Sequence, residues 1–143
     1  MDPDFDLSHF LPYLLSQAAD TTSARFQSVY KDRYGMLRTE WRVLFHLGRY
    51  GAQSAREICD RGRLHKTKVS RAVAGLEGRR FLTRATCDTD RRREILTLTA
   101  AGQAAFRDLS AEAQKFNDEL AAKLTAQDGR VLQKALMILS EEP

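Results

Sequence analysis

The feature that most restricts this fold is a change of hydrophobic period in the middle of the chain. Val69, Val73 and Leu76 are spaced four and three apart, the narrow apolar stripe of a helix that the pattern places over residues 65–79. Directly afterwards the period drops to two. Residues 81–86 and 94–99 read as short strands, the second with Leu96 and Leu98 on one face and Ile95 and Thr97 on the other. The segment between them, Cys87-Asp-Thr-Asp-Arg-Arg-Arg93, is too polar and charged to be buried. A helix followed by a hairpin with a basic tip is therefore predicted.

The remainder reads as helix. Residues 12–34 hold no breaker, with Pro12 near the first turn and Gly35 as the stop. Residues 39–50 place Trp41, Leu44, Phe45 and Gly48 on one face, widened by Val43 and Leu47, and Gly51 ends the helix. Ser54-Ala-Arg-Glu57 is a capping box that opens a helix of about two turns, stopped near Gly62. Thr99 is a natural N-cap for a helix over 100–124. Thr125-Ala-Gln-Asp128 is a second capping box, opening a last helix through Val131, Leu132, Ala135, Leu136 and Leu139. The fold class expected is mainly α with a small β-hairpin. At 143 residues, without repeats or Pro/Gly linkers, the chain reads as a single domain that needs no metal or disulfide to fold.

Charge is distributed unevenly. Between Arg56 and Glu94 twelve Arg/Lys stand against six Asp/Glu, a net +6, which leaves −2 for the rest of a chain of net charge +4. A basic middle between slightly acidic ends is the asymmetry of a nucleic-acid-binding module, although a solvated basic surface gives the same count. No apolar run is long enough for a membrane span. The start, Met1-Asp-Pro-Asp-Phe-Asp6, lacks the basic-then-apolar order of a signal peptide, so a cytoplasmic protein is expected. Cys59 and Cys87 suit a reducing compartment, the first as a small buried apolar residue and the second as an exposed thiol at the hairpin. His9, His46 and His65 have no metal-ligand spacing with them, so no metal and no cofactor is expected.

Two short helices with a tight turn, followed by a charged hairpin, are the layout of a winged helix-turn-helix. The second helix is narrow enough to enter a major groove about 12 Å wide, and the hairpin tip can reach an adjacent minor groove. The N-terminal end of that helix carries His65, Lys66, Thr67, Lys68, Ser70 and Arg71, all able to donate to bases or phosphates.

These residues resemble the multiple antibiotic resistance regulator (MarR) family of bacterial transcription factors. Trp41-Arg-Val-Leu44 resembles its second-helix motif, and Lys66-Thr-Lys-Val-Ser-Arg71 with Leu76-Glu77 its recognition helix. Asp90-Arg91-Arg92, followed after five residues by Leu98-Thr-Ala-Ala-Gly102, resembles its wing signature, the most specific element. Two departures bear on wing geometry. Arg80 stands where the family usually has a glycine ending the recognition helix, and the wing is about one residue shorter ahead of Asp90.

The resemblance implies a homodimer in which residues 1–36 and 100–143 supply long N- and C-terminal dimerisation helices around a winged lobe at 37–99. The chain's own apolar residues agree: Phe5, Leu7, Phe10 and Leu11 at one end, and Leu132, Leu136, Ile138 and Leu139 at the other. A two-fold dimer would read a pseudo-palindromic site on double-stranded DNA. The expected function is that of a DNA-binding transcriptional regulator, most often a repressor in this family.

In the wing, Arg91 and Arg92 are expected to contact DNA, and Asp90 to hold an arginine in a fixed pose through a paired contact. The family also binds small aromatic effectors, for which Tyr13, Trp41, Phe45, His46 and Phe106 could line a pocket, although each also suits a plain core. A winged-helix module for protein or RNA contact, without operator binding, remains the alternative. An enzyme has no support: the sequence shows no Gly-rich phosphate loop, nucleophile motif or recognisable carboxylate pair.

Overall fold

A computed structural model describes residues 4–141; Met1, Asp2, Pro3, Glu142 and Pro143, and with them the first residues of the expected signal-free start, lie outside the described residues. The order is α1 (Leu11–Tyr34), α2 (Arg38–Tyr50), α3 (Ala55–Gly62), α4 (Lys66–Gly78), β1 (Leu82–Thr86), β2 (Glu94–Leu98), α5 (Ala100–Ala121) and α6 (Ala126–Leu139), preceded by a single 3₁₀ turn at Leu7–His9. This is the mainly helical winged architecture expected. The chain falls into two compact units, Met1–Leu109 and Ser110–Pro143, and α5 belongs in part to each.

In the first unit the local signals act where the sequence places them. Gly35, at φ 66°, stops α1, and its N–H reaches back to the Lys31 carbonyl. The Ser54 hydroxyl accepts from the Glu57 amide at 3.2 Å and Glu57 returns a contact to the Ser54 amide, closing the capping box of α3. The His65 ring caps α4 by accepting from the Thr67 amide at 3.2 Å. The core is built from Met36 before α2, Val43, Leu44 and Leu47 of α2, Ile58 of α3, and Val69, Ala72, Val73 and Leu76 of α4. Each large fully buried side chain contributes about 1.5–3 kcal/mol.

The hairpin is antiparallel, with Leu82 opposite Leu98 and Arg84 opposite Leu96. Leu82, Leu96 and Leu98 turn inward, so the alternation read from β2 holds. The α4–β1 turn keeps a left-handed residue although no glycine is present, since Arg80 itself adopts φ 63°. The strain is held by hydrogen bonds on both sides: Arg80 N to Glu77 O at 2.9 Å, Phe81 N to Leu76 O at 2.9 Å, and Thr99 Oγ1 to Arg80 O at 2.7 Å. Thr99 also accepts from the Gly102 amide at 3.0 Å, which starts α5.

The second unit holds the end of α5 and all of α6. The helix expected to run to residue 124 stops at Ala121. Leu124 N instead bonds Ala121 O at 3.0 Å, because Thr125 must leave helical geometry to cap α6 through the Asp128 amide. On α6 Val131, Leu132, Ile138 and Leu139 are all exposed.

Gly102 lies against the hairpin so closely that a Cβ there would sit 2.0 Å from the Phe81 carbonyl oxygen. Backbone cannot yield as a flexible side chain can. Gly102→Ala is therefore expected to destabilise the fold by about 1–3 kcal/mol, as overpacked sites do, measured by urea unfolding. An unchanged midpoint would contradict this packing.

Candidate nucleic-acid interface

The exposed face of α4 carries Lys66, Thr67, Lys68, Ser70 and Arg71, while Val69 between them is fully buried. His65 is exposed, and its Nδ1 is engaged as the cap, which leaves Nε2 as the outward donor. The hairpin stands beside this helix. A groove of about 970 Å³ runs between α3, the start of α4 and the hairpin, lined by Ser54, Arg56, Lys66, Ser70, Arg84 and Arg92 among others. Arg56 was not singled out in the sequence; its place inside a capping box, at a helix start, was the signal available.

Three of the six acidic residues of the basic segment pair with its own cations. Glu57 binds Arg93, Glu77 binds Arg84 at 3.2 Å, and Glu94 binds Arg84 at 3.4 Å. Among the described residues, Lys66, Lys68, Arg71, Arg91 and Arg92 have no such carboxylate partner. All five are exposed.

Asp90 differs from expectation. Among the described residues it holds no arginine side chain; its Oδ1 accepts from the backbone amide of Arg92 at 3.0 Å. A carboxylate two residues before an amide closes an Asx turn with less reach than a guanidinium pair needs. The loop is completed by Arg93 N to Asp90 O at 3.0 Å and Cys87 N to Arg93 O at 2.8 Å. Both cysteines also differ, since each is half-buried. Burial pushes the Cys59 thiol up, with Asp60 adding to it. The Cys87 thiol is held down by the Thr89 hydroxyl at 3.2 Å and by the Thr89 and Asp90 amides.

Four of the five aromatic candidates form one strip. Phe45 is in ring contact with Trp41 at 6.0 Å, His46 at 6.1 Å and Phe106 at 6.0 Å. The strip continues to Phe26 and Tyr30, which the sequence reading did not select and which pack on Trp41 at 5.1 and 5.9 Å. Tyr13 is not part of it. It lies seventeen residues up α1 from Tyr30, roughly 25 Å along a helix, and its hydroxyl accepts from Gln17.

A model of the MarR family matches residues 34–93, the stretch from the end of α1 through the wing tip. The fold is also that of the MarR family transcriptional regulator SPO1453 from Silicibacter pomeroyi DSS-3, at 27% identity and a TM-score of 0.79, over 96% of this chain and 100% of that one. Over residues 34–93 the chain is similar to the MarR family. Another neighbour in structure is Bordetella bronchiseptica BpsR, whose DNA binding is regulated by 6-hydroxynicotinic acid. It shares 21% identity at a TM-score of 0.87, over 97% of this chain and 99% of its own. Among curated proteins, the uncharacterised HTH-type transcriptional regulator YwaE of Bacillus subtilis (strain 168) is 24% identical over 118 residues, 82% of this chain and 69% of the relative. No helix among the described residues is long and apolar enough to cross a membrane.

His46 sits in the aromatic strip with its Nδ1 buried and unpartnered among the described residues. Burial lowers its pKa, and Arg61 and Arg42 lower it further. The folded ring therefore takes up its proton at a lower pH than the unfolded chain, which does so near pH ~6.5. The stability this gives is present above that pH and is lost as pH falls below it. Unfolding free energy is expected to fall from about pH 7 to about pH 5.5, and to fall less in His46→Gln. Equal slopes in urea titrations of the two proteins would remove His46 from this role.

Proposed function

We propose that the chain acts as a homodimeric, sequence-specific DNA-binding transcriptional regulator, a ligand-responsive repressor of a pseudo-palindromic operator. The observation that carries this reading is the sorting of charge. Glu57, Glu77 and Glu94 engage Arg93 and Arg84, while Lys66, Lys68 and Arg71 on α4 and Arg91 and Arg92 on the wing are exposed and, among the described residues, without a carboxylate partner. In this reading α4 enters the major groove, with His65, Thr67 and Ser70 adding donors beside the cations, and the wing arginines reach the flanking minor groove.

Exposed apolar side chains support the dimer: Phe5, Phe10, Leu11 and Leu14 in the first unit, and Leu132, Leu136, Ile138 and Leu139 in the second. Residues 1–36 and 100–143 would pair across the two-fold axis, and 37–99 would form the DNA-facing lobe of a domain spanning 1–143. A small aromatic effector fits the strip of Trp41, Phe45, His46 and Phe106, where Phe45 keeps 37% exposure and the buried His46 nitrogen lacks a partner. BpsR, of the same fold, answers to an aromatic acid. The effector would act by changing the spacing of the two α4 helices, releasing an operator from which transcription had been blocked.

The test is a mobility shift against the DNA upstream of the chain's own gene. Binding is expected at low salt and to weaken steeply as salt rises. Lys66→Ala and Lys68→Ala are each expected to flatten the log–log salt slope by about one unit, as loss of one phosphate contact does. No shift at low salt would overturn the reading in favour of a module for protein or RNA contact. Light scattering should return twice the chain mass; a monomer would remove the paired-helix arrangement.

A further inference from the structure

Three arginines stand in a row at the wing tip, and the third is used differently from the other two. The Arg93 guanidinium is bound to Glu57 on α3. Its backbone closes the loop that carries Arg91 and Arg92, accepting from Cys87 and donating to the Asp90 carbonyl. The receiving carboxylate is itself fixed, because Glu57 completes the capping box with Ser54. Next to this pair the main chain of Gln53 is laced to β2, with Leu96 N to Gln53 O at 2.8 Å and Gln53 N to Leu96 O at 3.1 Å.

We propose that Glu57 and Arg93 are positioning residues: their ion pair latches the wing to α3 and so sets where Arg91 and Arg92 stand relative to the start of α4. The proposal rests on the DNA-binding reading above. Both side chains are nearly half exposed, at 43% and 48%. Pairs so exposed add little to stability, and the covalent hairpin would form without this one. The Gln53–Leu96 bridge and the Arg84–Glu77 pair hold the strands, so this ion pair acts on the turn that carries Arg91 and Arg92.

Glu57→Gln separates the latch from its surroundings. Glutamine still serves a capping box, so α3 keeps its start while the ion pair is lost. The substitution also removes a negative charge, which by simple electrostatics should tighten DNA binding. The latch predicts the opposite. Affinities are measured by fluorescence anisotropy on a duplex selected from a random pool with the full-length protein.

Arg92→Ala is expected to weaken binding about tenfold or more in the native background, and no more than about threefold in the Glu57→Gln background. Glu57→Gln alone is expected to weaken binding several-fold with a thermal midpoint near that of the native protein. Arg93→Lys, which keeps a charge opposite Glu57, is expected to retain more of the Arg92 effect than Arg93→Gln. If Glu57→Gln binds as tightly as the native chain, and Arg92→Ala costs the same in both backgrounds, the latch is wrong while the DNA-binding reading stands. If Arg92→Ala costs nothing in the native background, the wing contact itself fails and the latch falls with it.

Discussion

The winged lobe depends on one buried carboxylate. Glu40 on α2 is 4% exposed, and a charge so placed is tolerated only when it is paired and hydrogen-bonded. Arg79, just past the end of α4, supplies the pair through Nε at 3.0 Å. The same guanidinium donates to the Tyr34 carbonyl at 3.2 Å and the Gly35 carbonyl at 2.6 Å, satisfying groups at the C-terminal end of α1. Three helices are thus fixed by one side chain. Gly75 makes room, since a Cβ there would stand 3.1 Å from the carboxylate, and Gly35 serves twice, by its left-handed backbone and by letting Arg79 approach. On the other side of this joint, Tyr34 donates to Asp108 of α5 at 2.6 Å; burial and that contact push the Tyr34 hydroxyl up to about 12. Arg33 pairs with the same carboxylate.

The joint explains how a basic segment becomes a directed surface. Arg79 is counted among twelve cations in the sequence, yet it works inside the lobe. Arg84 and Arg93 do the same for the wing, each held by a carboxylate of a neighbouring element. A net charge of +6 spread over such a segment would be a vague attraction for anions. With Arg79, Arg84 and Arg93 paired, the exposed start of α4 and the wing turn carry Lys66, Lys68, Arg71, Arg91 and Arg92, the cations that the proposed function uses.

Much of this was legible in the sequence because its causes are local. The capping box at Ser54 and Glu57, the Thr125 and Thr99 caps, the Gly35 stop, the stripe of Val69, Val73 and Leu76, and the alternation of Leu96 and Leu98 all involve residues within a few positions of each other. What was illegible depends on distant partners. Nothing near Arg93 shows that it pairs with Glu57, thirty-six positions away, while among the described residues Arg91 and Arg92 have no carboxylate partner. Asp90 was read as holding a guanidinium, whereas the nearest donor within its reach is a backbone amide. Tyr13 shares residue type with the aromatic strip but is separated from it by the length of α1, and Phe26 and Tyr30, lower on that helix, were passed over because its periodicity is weak. At Arg80 the missing glycine gave reason to expect a different turn; the backbone keeps the left-handed conformation because hydrogen bonds from three directions hold it there.

In the proposed function α4 and the wing form one DNA-facing surface, presented twice by a two-fold dimer. Hydroxyl-radical footprinting of the full-length protein on its selected duplex reads that surface out. Two protected stretches are expected with centres about 10 base pairs apart, each flanked on its outer side by a protected minor groove. A single protected stretch without a two-fold repeat, or even protection that ignores sequence, would contradict it.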